Sequence, residues 1–97
     1  MAVTIKIIIK RQITGIDSKQ LTPFLLKLRN LAINEPGYIS GETLKSIDPP
    51  GQTLVISTWE SKEDWQQWLA NPKRVAIQAQ IDVLLGKPTA YEIYSPG

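Results

Sequence analysis

The chain has 97 residues, 42% apolar and 21% charged, the length and composition of one ordinary folded domain spanning residues 1–97. Eleven Lys and Arg against nine Asp and Glu leave a net charge of +2; no basic run exceeds Lys10-Arg11 or Lys73-Arg74, so no nucleic-acid partner is expected. The absence of cysteine excludes disulfides and thiolate chemistry, and the absence of histidine removes the usual neutral-pH base and the commonest metal ligand, so neither metal nor haem is expected.

The first residues, MAVTIKIIIKRQ, are apolar but brief, and Lys6 interrupts them. They read as neither signal peptide nor membrane span, so no membrane partner is expected and the cytoplasm is the default location. Val3, Ile5, Ile7 and Ile9 alternate with Thr4, Lys6, Ile8 and Lys10. That period of two predicts a strand with one apolar and one mixed face, broken by Gly15. Leu21, Phe24, Leu25, Leu28, Leu31 and Ala32 then recur at helical spacing, with Lys27, Arg29 and Asn30 outward. Pro23 belongs in a first helical turn, so the helix starts at Ser18 or, capped by Thr22, at Pro23. Glu35-Pro36-Gly37 stops it.

Tyr38 to Ile47 is a second predicted strand, and Asp48-Pro49-Pro50-Gly51 a turn. Gln52 to Trp59 is a third strand, pairing with the second as a hairpin. Ser61 is a helix N-cap with Asp64 three residues on. The helix it opens carries Trp65, Trp68 and Leu69 on one side. Asn71 caps the next helical piece, with Pro72 at its first position. Val75, Ala76, Ala79 and Val83 are its expected inner stripe, and Gly86 its stop. Thr89 to Tyr94 is a fourth strand.

The order β-α-β-β-α-β predicts an α+β, ferredoxin-like domain: a four-stranded antiparallel sheet with both helices on one face. The other face is then bare, yet Ile8, Ile39 and Ile47, with Tyr91 and Ile93, must be shared out over the two faces, which leaves the outer one half apolar. A symmetric homodimer, sheet against sheet, would cover it. Lys6 projects from that face, with Glu92 its expected partner.

The runs PGYISGETL (36–44) and LVISTWESKEDWQQWLANPKR (54–74), followed by a helix and a short strand, resemble the antibiotic biosynthesis monooxygenase domain over nearly the whole chain. The resemblance implies a dimeric α/β barrel with a cavity in each subunit for a flat hydrophobic molecule. It also implies a monooxygenase acting on a small aromatic or quinol-like compound without a bound cofactor. In the haem-degrading branch the site is an Asn on the first strand, a Trp on the helix and a His on the next helix. Trp68 matches that Trp, Gln78 occupies the His position, and the first strand has no Asn. In the polyketide-oxidising branch an Asn and a Trp on the third strand, a Tyr on the helix and an Arg further on surround a phenolic substrate; Trp59 matches that Trp, Trp65 falls where the Tyr would be, Val55 where the Asn would be, and Gln78 again at the polar position. The implied site is thus Trp68 and Gln78 for catalysis, with Trp59, Trp65 and Val55 against the substrate.

In cofactor-free chemistry the deprotonated substrate itself reacts with O₂, which asks for a dry pocket and a way to hold the anion. Gln78 is expected to donate a hydrogen bond, and Lys6 or Arg11 to supply charge. A proper base is missing unless Glu42, Glu92 or Lys6 is desolvated into that role. Core packing alone also accounts for Trp65 and Trp68, three residues apart on a helix that must bury one face. Trp59 at a strand end could simply close the barrel. With the matched His, Asn and Arg absent, a non-catalytic ligand-binding or sensing domain of the same fold is the alternative.

Overall fold

Ile7 is fully buried while Lys6 and Lys10 are exposed, so the alternation in the first strand sets the two faces of the sheet. The computed structural model describes residues 4–13 and 18–96. Val3 and Gly15, expected to flank the first strand, lie outside the described residues. The elements run β1 (Ile5–Gln12), α1 (Ser18–Ala32), β2 (Tyr38–Lys45), β3 (Gln52–Trp59), α2 (Lys62–Leu69), α3 (Pro72–Leu85) and β4 (Ala90–Tyr94). Among the described residues the strands form one antiparallel sheet in the order β2-β3-β1-β4. This is the ferredoxin-like α+β arrangement expected from the sequence. No described helix is long and apolar enough to cross a membrane.

The register places Ile5 opposite Trp59, Ile7 opposite Ser57, Ile9 opposite Val55 and Arg11 opposite Thr53. These odd-numbered positions form the inner face. Ile5, Ile7, Trp59, Trp65 and Trp68 are the buried core cluster, with Leu28, Leu31, Ala32, Tyr38 and Tyr91 packed around it. The α1 stripe turns inward as expected: Leu21 is buried, and Phe24, Leu25, Leu28, Leu31 and Ala32 are half-buried. The helix takes the earlier of its two expected starts, so Pro23 falls in the second turn and one backbone hydrogen bond is forgone.

Both expected caps form. Ser61 Oγ accepts from the Asp64 N–H at 3.1 Å and donates to Asp64 Oδ2 at 2.9 Å. Asn71 Oδ1 accepts from the N–H groups of Lys73 (2.9 Å) and Arg74 (3.3 Å), while its Nδ2 donates to Glu35 Oε1 at 3.0 Å. Gly86 ends α3 at φ 76°, a left-handed position that suits glycine.

Several expectations need correction. β2 ends at Lys45 and Ile47 is 94% exposed, because the turn's two prolines offer no N–H to extend the ladder. β4 begins at Ala90, because Thr89 turns its N–H and hydroxyl to Asp82. The inner stripe of α3 is not Val75, Ala76, Ala79 and Val83. All four are exposed, and Arg74, Gln78 and Ile81 are buried instead. Hydrophobicity does not set this face. Arg74 Nη1 donates to the Leu69 carbonyl at 3.2 Å and Gln78 bonds Asp82 and Thr89, so polar partners fix the phase. On the outer face, Lys6 Nζ donates to Thr58 Oγ1 at 3.0 Å, and Lys10, not Lys6, pairs with Glu92 at 3.1 Å. Glu92 stands opposite Ile8, between the two lysines, and both were within its reach.

Candidate functional site

Trp59, Trp65 and Trp68 arise from different local rules. Trp59 is the last residue of β3, on the inner face by strand alternation. Trp65 and Trp68 lie three apart on α2, whose phase is set by the Ser61 cap. The result is a continuous aromatic wall. Trp59 stacks on Trp68 with ring centres 6.3 Å apart and meets Trp65 edge-on at 5.7 Å. Tyr38 flanks Trp59 at 5.4 Å and Tyr91 flanks Trp65 at 5.5 Å, both edge-on.

Between α1 and the sheet, this wall borders a cavity of about 380 Å³. Val55, Thr53 and Ser57 of β3 and Ile9 and Arg11 of β1 form its floor; Leu25, Leu28 and Ala32 of α1 form the roof. Arg74, Gln78 and Tyr91 also line it. All five residues implied by the resemblance, Val55, Trp59, Trp65, Trp68 and Gln78, therefore meet in one space.

The polar groups in this space are few and mostly committed. Trp59 Nε1 donates to Ser57 Oγ at 3.2 Å. Gln78 Nε2 donates to Asp82 Oδ1 (2.9 Å) and to Thr89 Oγ1 (2.7 Å). Both amide protons are thereby used, so Gln78 has its carbonyl oxygen to offer, an acceptor rather than the expected donor. Arg74 Nη2 donates to the Tyr91 hydroxyl, and its guanidinium lies 5.3 Å from the centre of that ring. Burial raises Tyr91 above the ordinary phenol value of 10.0, against the opposing pull of Arg74 and Arg11. Burial likewise lowers the Arg11 guanidinium, with Tyr91 and Asp82 acting the other way.

Of the charged residues considered from sequence, Arg11 reaches the cavity. Lys6 and Glu92 sit on the opposite face of the sheet and cannot serve it. Glu42 reaches the cavity only as an exposed residue of β2. Sequence reasoning missed Arg74, taken as half of a basic pair, and gave Tyr91 no place in the site. The available signal was the spacing of Arg74, Gln78 and Ile81 on a single helical face. No group of three His, Cys, Asp or Glu side chains able to hold a metal stands together among the described residues.

The family model for antibiotic biosynthesis monooxygenase matches residues 7–80, the span that builds the floor, the indole wall and most of α3. The chain belongs to the antibiotic biosynthesis monooxygenase family. No curated protein matches it at the sequence level. Solved structures share its fold at low identity. A conserved protein from Methanosarcina mazei Go1 superposes with a TM-score of 0.88 at 17% identity, covering 98% of this chain and 94% of that one. SnoaB, a cofactor-independent oxygenase from Streptomyces nogalater, gives 0.84 at 12% identity over 99% and 95% of the two chains. Rv0793 from Mycobacterium tuberculosis gives 0.80 at 18% over 97% and 95%. The three indoles and Tyr38 lie inside the matched span, while Tyr91 comes from beyond it.

Proposed function

We propose that this chain is a cofactor-independent monooxygenase whose cavity takes a small, flat aromatic or quinol-like compound. One observation carries the reading: a half-open cavity of about 380 Å³, walled by three indoles, in a domain of this family. Such a volume suits a compound of two or three fused rings, which the indoles can face flat or edge-on. In the proposed reaction a substrate hydroxyl ionises, and the electron-rich ring reacts with O₂. One oxygen atom becomes a carbonyl on a ring carbon conjugated with that hydroxyl, which loses its single hydrogen; the other leaves as water with that hydrogen and the hydroxyl's proton, and the ring becomes a quinone. Trp68 and Trp59 would hold the ring plane, Val55 and Trp65 would fill its edges, and Gln78 Oε1 would accept the substrate hydroxyl's hydrogen bond. The same reading keeps the chain in the cytoplasm, as a homodimer joined through the bare sheet face. Ile8, Leu54 and Ile56 of that face are only half-buried, and Leu44 and Tyr94 are 43% and 52% exposed.

Oxygen uptake with a panel of quinols and phenolic polyketides tests the proposal. Turnover should fall at least about tenfold in Trp68→Ala and Gln78→Ala proteins that remain folded. A second reading, a ligand-binding or sensing domain, is favoured by the absence of histidine from the chain and of a buried carboxylate among the described residues to take the substrate's proton. It predicts quenching of tryptophan fluorescence by aromatic ligands with no O₂ consumed.

A further inference from the structure

The cavity's charge is unbalanced. Arg11 and Arg74 are each only 6% exposed and both line it. Among the described residues, no carboxylate stands within salt-bridge distance of either guanidinium. Arg74 spends Nη1 on the Leu69 carbonyl and Nη2 on the Tyr91 hydroxyl. Arg11 is less well served: its Nε is buried without a hydrogen-bond partner. Asp82 is the acid that bears on Arg11 electrostatically, yet its Oδ1 already accepts from Gln78 Nε2 and from the N–H and hydroxyl of Thr89.

A second orphan belongs to another residue that lines the cavity. Trp65 Nε1 is buried and also lacks a partner. Both orphans are donors, and neither indole nor guanidinium can accept. An unpaired buried donor is costly, more so if charged, so two of them on residues lining one cavity call for a ligand atom that accepts. The neighbouring charge selects an anionic one. Tyr91, wedged between Trp65 and Arg74, keeps its phenol neutral and so adds no negative charge of its own.

Resting on the cavity reading above, we propose that Arg11, with Trp65 Nε1 and Arg74, forms a subsite for an anionic oxygen carried by a planar aromatic. The oxygen is a carboxylate or an ionised ring hydroxyl. The indoles hold the ring while the arginines select its charge. Arg11 is therefore a specificity residue that weakens the empty protein in order to bind the ligand.

The test uses 2-naphthoate and its neutral isostere 2-naphthamide at neutral pH, with binding followed by tryptophan fluorescence. Naphthoate should bind at least about tenfold more tightly, the minimum for a buried charge-assisted bond. Arg11→Met should erase that preference and raise the melting temperature of the ligand-free protein. Arg11→Lys should keep a reduced preference. Titrating 2-naphthol through its own ionisation separates the two oxygen types. Tightening as it ionises admits ring hydroxyls, and unchanged affinity confines the subsite to carboxylates. Equal binding of naphthoate and naphthamide would overturn the anion subsite while sparing the cavity reading. Binding of neither would remove both. A lowered melting temperature in Arg11→Met would make Arg11 a structural tie and end the proposal.

Discussion

Tyr91 shows how much one side chain's surroundings decide. It is a half-buried strand residue whose hydroxyl accepts from Arg74 and whose ring meets Trp65. Burial raises its pKa above 10.0, so the folded protein holds the phenolic proton after the unfolded chain has released it. The sign follows: this contribution to stability is complete below pH 10.0 and is lost as pH rises toward the higher folded value. Phenolate absorbance should show a step above pH 10.0 that is lost in Tyr91→Phe, and alkaline unfolding should set in with it. A Tyr91→Phe protein, lacking that proton, should lose this limb of the pH–stability curve. Gln78 is a parallel case: an amide with both protons spoken for presents a different chemistry from the same amide seen as a letter.

Among the elements, α3 depends most on its ends. Asn71 caps it and reaches across to Glu35 just after α1, so one side chain joins two helices and sets the phase that turns Arg74 and Gln78 inward. Asn71→Ala should cost about 1 kcal/mol for the cap, with a further loss for the cross-link, read in a urea midpoint. Gly37 controls the entry to β2. Its φ is 86°, and a Cβ there would collide with the Asp64 carboxylate of the α2 cap. Gly37→Ala should therefore destabilise by more than the about 1 kcal/mol typical of backbone incompatibility alone, because the Ser61–Asp64 cap must also yield.

For the whole molecule the sheet's bare side is decisive. Ile8, Leu54 and Ile56 lie on it, ringed by Lys6, Lys10, Thr58 and Glu92. A patch of this kind, apolar within and charged at its edge, suits a self-complementary interface. Light scattering at micromolar concentration should give twice the chain mass, and Ile56→Lys should give a monomer that keeps its far-ultraviolet circular dichroism. A monomeric parent protein would dispose of the homodimer.

The alternation of Val3 to Lys10, the stripe of α1 and the caps at Ser61 and Asn71 carried the secondary structure and, through β-α-β handedness, the topology. Those signals are local: each depends on spacing of two to four residues, and the chain's neighbours supply the partner. The gathering of the indoles into a wall was legible for the same reason, since strand parity and helix phase place each one separately. What only the tertiary structure decided is the polar half of the cavity. Arg11, Arg74 and Tyr91 come from β1, α3 and β4, and nothing in local spacing marks them as neighbours. The burial of Arg74 and Gln78 in place of Val75 and Ala79 reverses the hydrophobic expectation, because the Leu69 carbonyl, Asp82 and Thr89 satisfy groups that sequence patterning assigns to water. A polar side chain is buried when partners meet it in space, and those partners become visible only once the chain has closed around them.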